Sequence, residues 1–216
     1  MAMLLAGTAP ASAQEVLAHV TASVVGALNV SELFAIKFGN FAIACTNNVC
    51  DSASSIVLAD DGTRTVHSSG VDNLALFNGQ GQGGITNGTA QETGSQSPGF
   101  YNINTGGETP GSGNVYVSFA DINGDIIDIN HPANHVTLSG PIANAFTVDT
   151  FTLESDTGTT GYQQLNPSMT DVYGTYVPLP TTGTVNIRVG ATLHTVAGPT
   201  PPPGQYAGQF YIMASY

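Results

Sequence analysis

Few residues in this chain are of a type that does chemistry, and their spacing narrows the options further. Cys45 and Cys50 are the only cysteines and enclose Thr-Asn-Asn-Val. In an exported protein an even count implies a disulfide, here closing a small loop whose Asn47-Asn48 centre can turn tightly. A metal site would need two more soft ligands, and no cysteine remains to supply them. Asp121, Asn123 and Asp125 follow the spacing of a calcium loop. Yet Ile126 holds the position that needs glycine, and Pro132 the position that needs a bidentate glutamate. Asn123-Gly124 is therefore read as a hairpin turn. His131 and His135 bracket Pro132, which forbids the regular helix that would bring both imidazoles to one face. Asp60 and Asp61 precede Gly62 in a turn, and Lys37 has no companion motif. There is no Gly-x-Ser-x-Gly, no His-Glu-x-x-His and no phosphate-cradling loop ahead of a helix. The reading is a protein that is not an enzyme and carries neither cofactor nor metal.

The totals agree with a structural or binding role. The chain has 216 residues, of which 8% are charged, and its polarity comes from Thr, Ser, Asn, Gln and 26 Gly. Its length suits one β-domain, since all-β domains of roughly 200–250 residues are ordinary. The net charge is −12, and Lys37, Arg64 and Arg188 are the only Lys or Arg side chains. Three cations cannot neutralise a run of phosphates, so nucleic acids and anionic membrane surfaces are excluded as partners. No segment approaches 18 uninterrupted apolar residues, so no membrane insertion is expected. Residues 1–13 are short and apolar and end in Ala11-Ser12-Ala13, a small-x-small cleavage pattern. They are read as a secretory signal with a truncated start, leaving Gln14 as the first mature residue.

The elements follow from periodicity. In the segment 14–26, Val16, Ala18, Val20, Ala22 and Val24 fall on one wholly apolar side of an extended strand. Leu28 to Phe38 continues extended to Gly39-Asn40, and Phe41 to Ala44 leads into the cysteine loop. Strands are expected at Ser55–Leu58, Thr63–His67 and Val71–Phe77. The Gly-rich stretch 78–113 holds eleven of the 26 glycines and reads as an insertion, a long loop or loose hairpin anchored by Ile85, Phe100, Tyr101 and Ile103. Val115–Ala120, Asn123-Gly124 and Asp125–Ile129 form the expected hairpin. Strands follow at Val136–Leu138, Ala145–Leu153 and Thr184–Val189, the last two separated by a Gly/Thr/Pro-rich excursion. Gly190-Ala191 reads as a tight turn into Leu193–Val196, and Pro199–Pro203 as a stiff lead-in. In the terminal segment Gln205–Tyr216, Tyr206, Gly208, Phe210, Ile212, Ala214 and Tyr216 share one face. About a dozen strands with turn signals between them and no helix specify an all-β protein, a β-sandwich spanning 27–216.

Three runs carry a resemblance. Phe146-Thr-Val-Asp-Thr-Phe-Thr152, Val189-Gly-Ala-Thr-Leu193 and Pro203-Gly-Gln-Tyr-Ala-Gly208 before an alternating last strand resemble exported bacterial β-proteins related to chaperone–usher pilus subunits. Val20-Thr-Ala-Ser-Val-Val25 resembles the start of the same domain, and the likeness spans Val16–Phe38 and Ala145–Tyr216. It implies an incomplete immunoglobulin-like sandwich, completed by an N-terminal donor strand from a neighbouring subunit. It further implies a head-to-tail homopolymer at the cell surface, serving attachment or biofilm formation, with a periplasmic chaperone and an outer-membrane usher as partners during export. Carried onto this chain, the donor residues are Val16, Ala18, Val20, Ala22 and Val24. The acceptor edge comprises Tyr206, Gly208, Phe210, Ile212, Ala214 and Tyr216. Pilins of this type often staple two distant early strands, whereas Cys45 and Cys50 close a local loop. Two other readings stand beside it: a monomeric secreted adhesin whose 78–113 loop contacts a glycan, and a calcium-stabilised surface-layer protein drawing on the 15 acidic residues.

Overall fold

Period-two burial along the chain produces an all-β architecture of antiparallel sheets. The computed structural model describes residues 28–52, 54–68, 72–76, 84–86, 89–91, 96–106, 113–128, 133–156, 162–164, 174–179 and 182–215. Its strands are β1 (Asn29–Phe34), β2 (Phe41–Cys45), β3 (Val49–Cys50), β4 (Ser55–Leu58), β5 (Arg64–His67), β6 (Asp72–Leu76), β7 (Gly84–Thr86), β8 (Thr89–Gln91) and β9 (Gly99–Asn104). They continue with β10 (Asn114–Ala120), β11 (Val136–Leu138), β12 (Phe146–Asp156), β13 (Tyr162–Gln164), β14 (Gly174–Pro178), β15 (Thr184–Thr195), β16 (Gly198–Pro199) and β17 (Tyr211–Ser215). One 3-10 turn, Thr46–Asn48, is the helical element among the described residues. No helix there is long and apolar enough to cross a membrane.

The long antiparallel pair β12–β15 is the spine of an eight-stranded sheet in the order β1-β9-β15-β12-β11. The first half of β15 pairs with β9, which pairs with β1, while its second half pairs with β4, which pairs with β5. Two core clusters lie beneath these wings. Tyr101, Ile103, Val185, Ile187 and Val189 pack against Val115, Val117, Phe119 and Val177 of a three-stranded sheet, β14-β10-β17. Ile56, Phe146, Val148 and Leu193 pack against Leu74, Phe41, Ile43 and Leu76 of the two-stranded β2–β6 sheet. Each fully buried Val, Leu, Ile or Phe contributes about 1.5–3 kcal/mol. Two layers of antiparallel sheet enclosing an apolar interior are consistent with a β-sandwich.

Several local expectations hold. Cys45 and Cys50 are disulfide-bonded, and Asn47 and Asn48 both take positive φ in the turn between them. β4 and β5 pair across Asp60-Asp61-Gly62, where Gly62 has φ +86°.

Others are corrected. The stretch 78–113 does hold a short hairpin, β7 paired with β8, but it is not only a loop or hairpin, because its residues 99–104 form β9, paired on both sides at the middle of the main sheet. Its glycines hid a strand whose Phe100, Tyr101 and Ile103 are buried. The excursion before Thr184 likewise contributes β13 and β14. Asn123-Gly124 does turn the chain, but among the described residues the returning arm makes only the isolated bridge Ala120↔Ile126. The places beside β10 are held by β14 and β17. Asp121 organises that turn, its carboxylate accepting from the Asn123 and Asp125 amides at 2.8 and 2.9 Å.

Gly190-Ala191 is not a turn at all, since β15 runs unbroken through it. A β-carbon on Gly190 would stand 2.4 Å from the Leu58 carbonyl oxygen and 2.6 Å from Thr152 Oγ1. This glycine therefore answers a close approach of neighbouring strands rather than a change of direction. Opposite it β12 carries a bulge, with register shifting between Asp149 and Thr152 and Thr150 at φ +49°. Burial in β12 switches phase there, from Phe146 and Val148 to Leu153 and Ser155. The shift turns Phe151 inward, where it stacks on Phe119 at 4.7 Å and contacts both clusters. On the outer side Asp149 meets His194 at 2.8 Å.

Replacing Gly190 by alanine is expected to cost about 2–3 kcal/mol, because two of the three nearest atoms, the carbonyl oxygen of Leu58 and the carbonyl carbon of Ala59, are backbone that cannot swing aside. A lower urea midpoint at unchanged slope would show it, and a midpoint equal to the parent's would contradict the close approach.

Candidate functional site

The site that the sequence singles out is an edge rather than a pocket, and its geometry begins with how the chain reaches β17. A β-carbon on Gly208 would lie 2.6 Å from the Thr137 carbonyl oxygen, so this residue lets residues 205–208 run hard against the end of β11. Ser139 and Ala207 exchange backbone hydrogen bonds of 3.0 Å there. Tyr206 packs its ring edge-on to Phe146, with centroids 5.0 Å apart, and its hydroxyl donates to the Pro202 carbonyl at 2.8 Å. The Pro-Gly-x-Tyr-x-Gly run is thus a clamp that fixes the chain before the last strand.

β17 pairs with β10 from Tyr116↔Ser215 to Ala120↔Tyr211, and no strand among the described residues pairs with its other edge. Its burial alternates, with Ile212 and Ala214 turned inward, half-buried, and Tyr211, Met213 and Ser215 outward. Phe210 lies 4.9 Å from Phe151, 6.3 Å from Phe119 and 6.4 Å from Tyr101, centroid to centroid.

Facing this edge is β1, which pairs with β9 alone among the described residues. β1 and β17 belong to different sheets, yet their α-carbons approach within 8 Å. Leu28 and Val30 on one side, and Phe210, Ile212 and Ala214 on the other, all pack against the first core cluster while staying only partly buried. The result is an apolar seam between two strand edges that are unpaired among the described residues.

Tyr101 lies in the core beside this seam. It is 3% exposed and its hydroxyl has no hydrogen-bond partner among the described residues. Burial pushes its phenol far above the usual range, and the charge of Glu32, its register neighbour on β1, pushes it further. The group therefore stays protonated, a buried donor with no acceptor among the described residues.

Of the residues named from the sequence, Tyr206, Gly208, Phe210, Ile212 and Ala214 lie along this final segment, although only 211–215 form regular strand. Tyr216 and Val16, Ala18, Val20, Ala22 and Val24 lie outside the described residues. Cys45 and Cys50 belong to the turn from β2 to β3, next to β16 rather than the seam. Sequence reasoning named Tyr101 only as an anchor of the 78–113 stretch and gave Phe151 no role of its own. Phe151 is hidden by the bulge that shifts the phase of β12, and Tyr101 by the glycine-rich surroundings of β9. Among the described residues no group of three or more His, Cys, Asp or Glu side chains is placed to hold a metal ion.

Tyr101→Phe is expected to stabilise the isolated chain by about 1 kcal/mol, because it removes an unsatisfied buried hydroxyl. Urea unfolding reads this directly. A loss of stability would mean that the hydroxyl has a partner.

No protein-family model, curated protein or solved structure matches this chain.

Proposed function

We propose that this chain is a structural subunit of an extracellular pilus or fimbria, assembled head-to-tail by strand donation. In this reading Val16, Ala18, Val20, Ala22 and Val24 of one subunit enter the seam between β1 and β17 of the next. The observation that carries it is the pair of edges at β1 and β17 that no strand among the described residues pairs, lined by Leu28, Val30, Phe210, Ile212 and Ala214, which stay half-buried.

The chemistry of the two surfaces matches. An open edge presents backbone N–H and C=O groups that seek a strand, and an apolar alternating segment supplies both the ladder and the buried side chains. Each valine so buried contributes about 1.5–3 kcal/mol, with each ladder hydrogen bond adding about 1 kcal/mol. Donor and acceptor are different surfaces, so the contact does not close on itself and a filament follows.

The hydrogen bond from Tyr206 to the carbonyl four residues upstream, just before the last strand, supports an immunoglobulin-like sandwich, where such a tyrosine corner recurs. An open edge of this kind needs protection before assembly. A periplasmic chaperone that lends a strand and an outer-membrane usher that exchanges it are the partners this reading implies.

The test is electron microscopy of material sheared from cells expressing the parent, a chain lacking residues 14–25, or Val20→Asp. Fibres from the parent alone are expected. The single substitution guards against a deletion that fails for other reasons, since it keeps the full length of the chain while placing a charge on the proposed donor face. Fibres of normal length from either altered chain would end the proposal.

A further inference from the structure

The turn that ends β10 holds a reactive dipeptide inside a set of hydrogen bonds. Asn123 and Gly124 are both exposed, at the corner between Ala120 and Ile126. Asn-Gly is the pair that loses its side-chain amide most easily, because glycine has no β-carbon to obstruct its own nitrogen as that nitrogen closes on the asparagine Cγ. Gly124 has φ +87°, and a β-carbon there would meet nothing within 4 Å, so no neighbour bars the reaction by bulk. Asp121 bars it by bonding. The Gly124 N–H donates to the Asp121 carbonyl at 3.0 Å, and the Asn123 N–H and Nδ2 donate to the two oxygens of the Asp121 carboxylate at 2.8 and 3.0 Å. The Asp125 N–H adds a bond to that carboxylate at 2.9 Å. Desolvation raises the Asp121 carboxyl, but the bonds from Asp125, Asn123 and Gly124 outweigh it and hold the group below its usual range, so it is ionised at neutral pH.

We propose that Asn123-Gly124 is a latent deamidation site and that Asp121 is the residue that keeps it latent. The reaction needs the Gly124 nitrogen to give up its proton and attack Asn123 Cγ. A C–N bond forms, the bond from Cγ to Nδ2 breaks and ammonia leaves, which gives a succinimide. Water then opens the ring. Cleavage at one carbonyl gives aspartate, and at the other isoaspartate, with the main chain rerouted through the side chain. One water is consumed and one ammonia released, with no oxidant or reductant. Each contact of Asp121 opposes the first step. Its carbonyl holds the proton that must leave, its charge disfavours a second anion at the Gly124 nitrogen, and its Oδ2 holds the Asn123 amide that must swing onto that nitrogen. The product adds a third carboxylate beside Asp121 and Asp125, at the end of β10 where Ala120 pairs with Tyr211, the first residue of β17.

The inference stands whether or not the chain polymerises. The full chain is incubated in mildly alkaline buffer, folded and in guanidinium, and peptide mass spectrometry follows the conversion at each Asn-Gly pair. Asn78-Gly79 and Asn87-Gly88, which lie outside the described residues, are the internal references. Asn123 is expected to react about tenfold or more slowly in the folded parent than in guanidinium, because the attacking nitrogen and Cγ are held apart. In folded Asp121→Ala its rate rises toward the guanidinium value, while both references keep the parent's rates. Asp121→Asn, which removes the charge and keeps the shape, accelerates it by less. Circular dichroism confirms that each variant is folded. The proposal is overturned if Asn123 does not deamidate in guanidinium, if the folded parent reacts as fast as the unfolded chain, or if neither folded variant outpaces the parent. A rise at all three pairs together also overturns it, since that marks general opening of the chain rather than loss of a local guard.

Discussion

The structure depends on burying the inner face of the β9–β15–β12 strands under a second layer that is assembled from pieces. The β2–β6 pair covers one half of that face and the β14-β10-β17 sheet the other. Apolar side chains must leave water on both sides of such an interior, and a layer three strands wide runs out at β17. There the inward side chains remain half-covered and the backbone edge is unpaired among the described residues. An edge of this kind attracts any extended chain with a matching apolar face.

The devices that hold β17 in place are local and specific. The β12 bulge turns Phe151 under the second layer, where it stacks on Phe119 and supports Phe210. Gly190 permits the neighbouring strands to close against that bulge. Farther along, Tyr206 and Gly208 clamp the chain to the end of β11, so that Phe210, Ile212 and Ala214 enter the core in phase. The seam is therefore rigidly framed on the β17 side.

Much of the fold was legible in the sequence, for physical reasons that also explain the failures. Turns with dedicated chemistry, such as Asp60-Asp61-Gly62 and the Asn47-Asn48 disulfide loop, declare themselves because few residues tolerate their backbone angles. The alternation of Phe210, Ile212 and Ala214 is legible because a half-covered strand keeps period two. β9 was not, because a strand paired on both sides can be built from Gly-Phe-Tyr-Asn-Ile-Asn inside a glycine-rich stretch. Gly190 misled in the opposite sense: glycine marks either a turn or a crowded backbone, and only the neighbouring strands tell which. The edge itself followed from the alternation of the last strand. Its partner β1 did not, because the pairing of distant strands leaves no mark on either one.

Hydrogen exchange at the β17 amides tests the account most directly. A chain lacking residues 14–25 is measured alone and with a synthetic peptide of that sequence. The account predicts that amides of 211–215 facing away from β10 exchange readily in the truncated chain and become protected, by tenfold or more, when the peptide is added. Amides that are already protected without the peptide, or that do not respond to it, would contradict the open edge.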